Sequence, residues 1–207
     1  MRQRSSAALL TLGIASLVGY VLVARSVSRR RTAADDQKLR DDVQQARDRQ
    51  GEAMAKAVGP IGKQWLHIPA TAALSWYLLR HKAGPRSIMP LAASVTSDVL
   101  SRVFDRLPPN RRPPPGHPNQ QKTTFPSGHA NETTAVTFTT AYVLSREEVV
   151  APVPAFAIAA ILSIASPAGR MYLDRHWASD VIAGWCLGFA TAAGCAAIYE
   201  TVAANRD

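Results

Sequence analysis

The chain has 207 residues and a formal net charge of +9. It is long enough for one domain with a full core and basic enough to suit nucleic acid, an anionic membrane surface or a phosphorylated substrate. Its two cysteines, Cys186 and Cys195, fall about half a turn out of phase on a helix, which excludes a disulfide between them, and no Cys/His cluster has the spacing of a zinc site.

A mean hydropathy near zero conceals a sharp partition into two polar stretches and long apolar runs. Residues 6–24 carry no charge and approach the roughly 20 residues that span a bilayer. The run is long for the apolar part of a signal peptide, so a retained anchor is expected. Arg29, Arg30 and Arg31 open a charged segment over 25–60, where Leu39, Val43, Ala46 and Ala53 recur at helical spacing. That pattern predicts a lean amphipathic helix, expected as a solvated linker between spans. Further spans are predicted over 64–80, 87–104, 130–145, 149–168 and 181–199, and no strand-like alternation occurs. In the last span Gly184 and Gly188 form a small-xxx-small pair that lets helices approach closely. The fold class expected is all-α: a polytopic membrane bundle of about six transmembrane helices.

Residues 105–129 separate two spans and include seven prolines among Arg, His and Lys residues. Proline at that density prevents a helix or central strand, and the basic residues suit a rigid anion site. The loop ends in Phe125-Pro126-Ser127-Gly128-His129. A glycine-containing turn at a helix N-terminus offers backbone N–H groups and the positive end of the dipole to a phosphate. Ser127 adds a hydroxyl, and His129 can deliver a proton. Farther on, His176 and Asp180 stand four residues apart, so they share a helix face. A carboxylate on one ring nitrogen fixes the tautomer and leaves the other free to attack. Arg170 supplies a planar, permanently charged fork for phosphate oxygens.

The order and spacing of these residues resemble the type 2 phosphatidic acid phosphatase and vanadium-dependent haloperoxidase superfamily. Its second motif, Pro-Ser-Gly-His, is matched by Pro126, Ser127, Gly128 and His129. Its third, Ser-Arg, five residues, His, three residues, Asp, is matched by Arg170, His176 and Asp180, with Gly169 in place of serine. Its first, Lys, six residues, Arg-Pro, ends on Arg112-Pro113, but the lysine position falls on Asp105. Asp105 is therefore expected to point away, with Arg106, or else Arg102, reaching the phosphate instead.

The resemblance implies a membrane phosphatase acting on a lipid phosphomonoester or diphosphate through a phosphohistidine. His176 is the implied nucleophile, Asp180 its orienting partner and His129 the acid and base. Arg112, Arg170, Ser127, Gly128 and Arg106 are the implied phosphate ligands. Residues 1–24 would then be an anchor, 25–60 a linker and 61–203 the catalytic membrane domain. No cofactor and no metal are expected, because arginines meet the phosphate charge. The partners expected are a phosphorylated lipid and the membrane, with no nucleic acid. Two other functions share the residues: a catalytically silent lipid-phosphate binder, motivated by the missing lysine and serine, and a vanadate-dependent haloperoxidase. An even number of spans places all three motifs opposite the termini. The resemblance implies a bacterial inner membrane with the site facing the periplasm or outside. Arg80, Lys82 and Arg86 agree with that by the positive-inside rule, whereas Arg25 and Arg29 to Arg31 oppose it.

Overall fold

The helix that follows the Pro-Ser-Gly-His segment is the axis of the molecule. It is α6 (Gly128–Arg146), and its first turns, from His129 to Val136, are buried throughout. This explains why α6 carries Asn, Glu and Thr where a lipid-facing span would be apolar, since protein surrounds it. Its neighbours are α5 (Met89–Phe104), α7 (Pro152–Tyr172) and α8 (Ala178–Ala204). Asn131 fixes the α5 contact by donating its Nδ2 to the Ser97 carbonyl at 2.9 Å and the Ser101 hydroxyl at 3.0 Å. On α8, Gly184 and Gly188 let α6 approach to backbone contact.

This computed structural model describes residues 2–81, 84–117 and 123–204. Lys82, residues 118–122 of the basic loop and the side chains of Arg2 and Arg4 lie outside the described residues. Among those described, every regular element is helical. The remaining helices are α1 (Arg2–Ser28), α2 (Ala33–Gln45), α3 (Arg49–Val58) and α4 (Gln64–His81). A 3-10 turn, Gly59–Gly62, joins α3 to α4.

Ser6–Ser28 of α1, all of α7 and Ala178–Ala203 of α8 are long and apolar enough to cross a membrane. Leu10, Ile14 and Val21 on α1, Val95 and Val99 on α5, and Ile158, Ile161 and Ile164 on α7 are exposed, as a lipid-facing surface requires. The chain is an integral membrane protein by these helices.

The first span does more than tether. It runs antiparallel along α8: a Cβ on Gly13 would lie 3.6 Å from Ala193 Cβ, and one on Gly19 would lie 3.2 Å from Cys186 Sγ. At its far end Tyr20 meets Phe104 edge-on, with centroids 4.9 Å apart, and Phe125 at 6.0 Å. Phe125 immediately precedes Pro126, so α1 buttresses that segment directly.

Residues 29–62 form two helices and a 3-10 turn. Most of them are exposed, and one face lies across one end of the bundle. Asp48 caps α3 by accepting from the Gly51 amide at 2.7 Å, the usual use of aspartate at a helix start. The helix then packs on α7. Asp36 of α2 is only 3 % exposed, a burial that the polar composition of the segment does not announce. Below, these residues are called the arm.

Candidate active site

The bundle end covered by the arm gathers the three motif segments. Ser127 caps α6 by accepting from the Ala130 amide at 3.4 Å, and its own amide donates to the Asp180 carbonyl at 2.9 Å. One backbone bond thus locks the second motif to the third. His129 follows in the first turn of α6 and is buried. Its ring feels the charges of Arg170, His176, Lys63 and Arg175.

His176 lies in the turn between α7 and α8. Its Nδ1 is 3.1 Å from the Thr124 carbonyl and 3.6 Å from Asp180 Oδ2. A carbonyl only accepts, so Nδ1 carries the proton in that bond, and the neutral ring then keeps its lone pair on Nε2. The tautomer is therefore held first by Thr124, which the spacing of the third motif does not reveal. Asp180 is fully buried. It accepts from the Trp177 amide at 2.9 Å and adds a negative charge beside the ring.

Among the described residues, three side-chain nitrogens here are buried without a hydrogen-bond partner: His129 Nε2, Arg170 Nε and Arg175 Nε. Buried orphans are rare because each costs about 1–3 kcal/mol. Such nitrogens beside clustered cations suit an anion.

Of the predicted phosphate ligands, Arg170 lies in this cluster, Gly128 is partly exposed at the start of α6, and the Ser127 hydroxyl serves the helix cap. Arg112 is exposed, and its carbonyl accepts from Trp177 Nε1 at 2.9 Å. Arg106 is exposed beside Asp105. Arg102 is engaged elsewhere, with its guanidinium bonded to Asp98 and, at 2.7 Å, to Gln64. Asp105 is exposed, and its carboxylate feels the charges of His176, Glu132 and Arg106.

Two cations in the cluster were not among the predicted ligands. Arg175 immediately precedes His176. Lys63 sits between the 3-10 turn and α4, where it feels the charges of Arg170, Arg175 and Glu132. Partial burial, then Arg170 and Arg175, lowers the pKa of its ammonium. The turn places it there because Gly62 rests against the site. A Cβ on Gly62 would stand 2.8 Å from His129 Cδ2 and 3.0 Å from Thr133 Oγ1. One turn into α4, His67 bonds Glu132 Oε2 at 3.0 Å and Ser94 Oγ at 2.6 Å, which fixes α4 against α6. An ionisable residue inside an apolar span was the available signal for His67.

The arm reaches the site at three further points. Gly169, at the position of the motif serine, is where α3 crosses α7: a Cβ there would meet Val58 Cγ2 at 2.9 Å and the Ala55 carbonyl at 3.1 Å. The glycine thus accommodates the arm. Arg40 grips Asp174 with two bonds of 2.7 Å, and the same carboxylate accepts from the Gly116 amide at 2.7 Å. Asp36 accepts from the Ser179 amide and hydroxyl, each at 2.9 Å, and pairs with Arg111 at 2.8 Å. Burial alone would raise the Asp36 pKa, but the Ser179 amide, Arg111 and the Ser179 hydroxyl together hold it below the usual carboxylate value.

No curated protein matches the chain. A crystal structure of a transmembrane PAP2-type phosphatidylglycerolphosphate phosphatase from Bacillus subtilis superposes with a TM-score of 0.74 at 16 % identity, covering 94 % of this chain and 96 % of that one. The two proteins share a fold. The family model described as the PAP2 superfamily matches residues 87–204, more than half of the sequence and the whole stretch that carries the second and third motifs, and the chain therefore belongs to the PAP2 superfamily.

Proposed function

We propose that this protein hydrolyses a phosphomonoester or diphosphate carried by a lipid, through a phosphohistidine on His176. The observation that carries the reading is the buried His129 and the half-buried His176 among the charges of Lys63, Arg170 and Arg175, with three buried nitrogens unpartnered. His176 Nε2 attacks phosphorus as the bond to the lipid oxygen breaks, and His129 protonates that oxygen. Water then attacks the phosphohistidine, His129 takes its proton, and the P–N bond breaks to release phosphate. The cations and the Gly128 amide stabilise the charge on the equatorial oxygens. A bound phosphate also favours the protonated His129 that the first step needs.

A lipid fits because an apolar groove of about 330 Å³ runs between α4, α6 and α7. Ile61 and Leu66 line its end nearest the site, and Val136, Ala159 and Leu162 carry it along the bundle. The membrane is taken as a bacterial plasma membrane with the site facing outward. A silent lipid-phosphate binder would share every contact named but would not turn over.

The test is phosphate release by the purified protein from phosphatidic acid, phosphatidylglycerol phosphate and a polyprenyl diphosphate. Release should persist in a chelator and be inhibited by vanadate, which adopts the five-coordinate geometry of the transition state. Loss of turnover in chelator with recovery in magnesium would overturn the cationic mechanism, and binding without turnover would leave the silent binder.

Lys63 takes the part of the missing first-motif lysine in this mechanism. A hydrogen bond to a charged group contributes about 1.5–3 kcal/mol, so Lys63→Met should lower kcat/KM by roughly ten- to a hundred-fold. The comparison belongs on a short-chain soluble substrate, which removes membrane anchoring. Asp105→Lys in the Lys63→Met background should recover part of that loss, since the charge at position 105 interacts with His176. An Lys63→Met variant within about two-fold of wild type would eliminate this role, being well under one such bond.

A further inference from the structure

Arg111 stands between two carboxylates. Its Nη2 is 2.8 Å from Asp36 Oδ2, and its Nη1 is 3.7 Å from Asp180 Oδ1. Nη1 also donates to the Ser179 hydroxyl, and the guanidinium lies 4.8 Å above the centre of the Trp177 ring. Asp180 Oδ1 has no hydrogen-bond partner, whereas Asp180 Oδ2 is the oxygen that faces His176. The cation closest to the carboxylate beside the nucleophile therefore gives its direct contact to a different acid. That acid comes from α2, far outside the stretch that carries the motifs.

We propose that Asp36 is a positioning residue for the nucleophile: it holds Arg111 off Asp180, so that Asp180 remains directed at His176. The proposal rests on the reading of His176 as nucleophile. Coulomb attraction rises as separation falls. A guanidinium released from Asp36 would close on the unpartnered Asp180 Oδ1, the other carboxylate within 4 Å of it among the described residues. The carboxylate charge would then be shared with Arg111, and the side chain would rotate away from the imidazole. Ser179 opposes any drift of Asp36 itself, because its amide and hydroxyl each bond one oxygen. The simpler account of the contacts is a structural clasp with no bearing on Asp180.

Asp36→Asn distinguishes the two, since it keeps an acceptor for the Ser179 amide and removes the charge. Turnover on a short-chain substrate should show kcat lower by roughly tenfold, with KM within about two-fold, as expected for a displaced reacting group and intact phosphate contacts. In the Asp36→Asn/Arg111→Gln pair no cation is left to draw on Asp180, and kcat should return to within about three-fold of wild type. A clasp predicts that the pair is at least as damaged as the single variant. Melting temperatures in the same detergent would be recorded for each protein. The proposal is overturned if Asp36→Asn retains kcat within about two-fold, or if the pair is no better than the single variant. If Asp36→Asn does not fold, the pair decides: kcat within about three-fold supports the proposal, and a larger loss overturns it. Failure of the underlying reading looks different, because the wild-type protein would then lack turnover altogether.

Discussion

His176→Ala is expected to release no measurable phosphate from any lipid, a loss of at least about a thousand-fold, while the protein still inserts and folds. The ring is mostly enclosed, with its Nδ1 spent on the Thr124 carbonyl, so the variant loses the attacking atom and little else. The cations that surround His129 are untouched, and vanadate should still raise the melting temperature. Stopping the wild-type reaction with alkali, in which a phosphohistidine survives, should trap labelled phosphate on the protein. The variant should trap none. More than a few per cent of wild-type turnover in His176→Ala would mean that another residue attacks. Asp180→Asn should be milder than His176→Ala, because the Thr124 carbonyl continues to fix the tautomer when the carboxylate charge is gone.

Gly184→Val should be almost as damaging, although residue 184 touches no substrate. A Cβ at this position would stand 2.5 Å from the Ser127 carbonyl, 2.7 Å from Ala130 Cβ and 3.1 Å from the Asn131 amide. Two of those three are backbone atoms, two residues before and two residues after His129, and backbone cannot swing aside as a flexible side chain can. Overpacking ordinarily costs about 1–3 kcal/mol. Here the same displacement also strains the Ser127–Asp180 backbone bond that joins the two motifs. Turnover should fall by about a hundred-fold or more, in line with an ångström-scale misplacement of catalytic groups, together with a lower melting temperature. Ten residues farther along the same helix, Gly194 has nothing within 4 Å of its Cβ position, and Gly194→Val should leave both properties near wild type. Equal effects at the two positions would indicate a general intolerance of valine in α8, not a close approach at Gly184.

The helical bundle was legible because apolar runs of membrane length have few alternatives. The Gly184/Gly188 pair was legible because close helix approach leaves a spacing in the sequence. Likewise His129, Arg170, His176 and Asp180 stand in motifs whose order survives in one dimension. What could not be read came from elements remote in sequence. Lys63 reaches the site because Gly62 abuts His129, a contact between segments more than sixty residues apart. Asp36 looks like any acid in the first turn of a charged helix, and only the burial of its carboxylate against Ser179 separates it from Asp35 beside it. Arg111 and Arg112 are adjacent and chemically identical, so pattern alone selects the one before proline. In the structure Arg111 turns inward and Arg112 outward. The replacement of the motif serine by Gly169 reads as a defect until α3 is seen lying across it.

The three-way junction at Asp174 bears on how such a protein can be recombined. Its carboxylate binds Arg40 from the arm and the Gly116 amide from the proline-rich loop, while its own backbone takes a left-handed turn at φ 55°, a conformation that aspartate tolerates better than most residues. Asp36 and Arg111 join the same segments a second time. A chimera that grafted residues 87–204 of this chain onto the N-terminal half of a relative would keep every motif and sever both junctions. The arm and the motif-bearing half thus form a single unit of inheritance, and exchange between relatives should be tolerated only where residues 36, 40, 111 and 174 travel together.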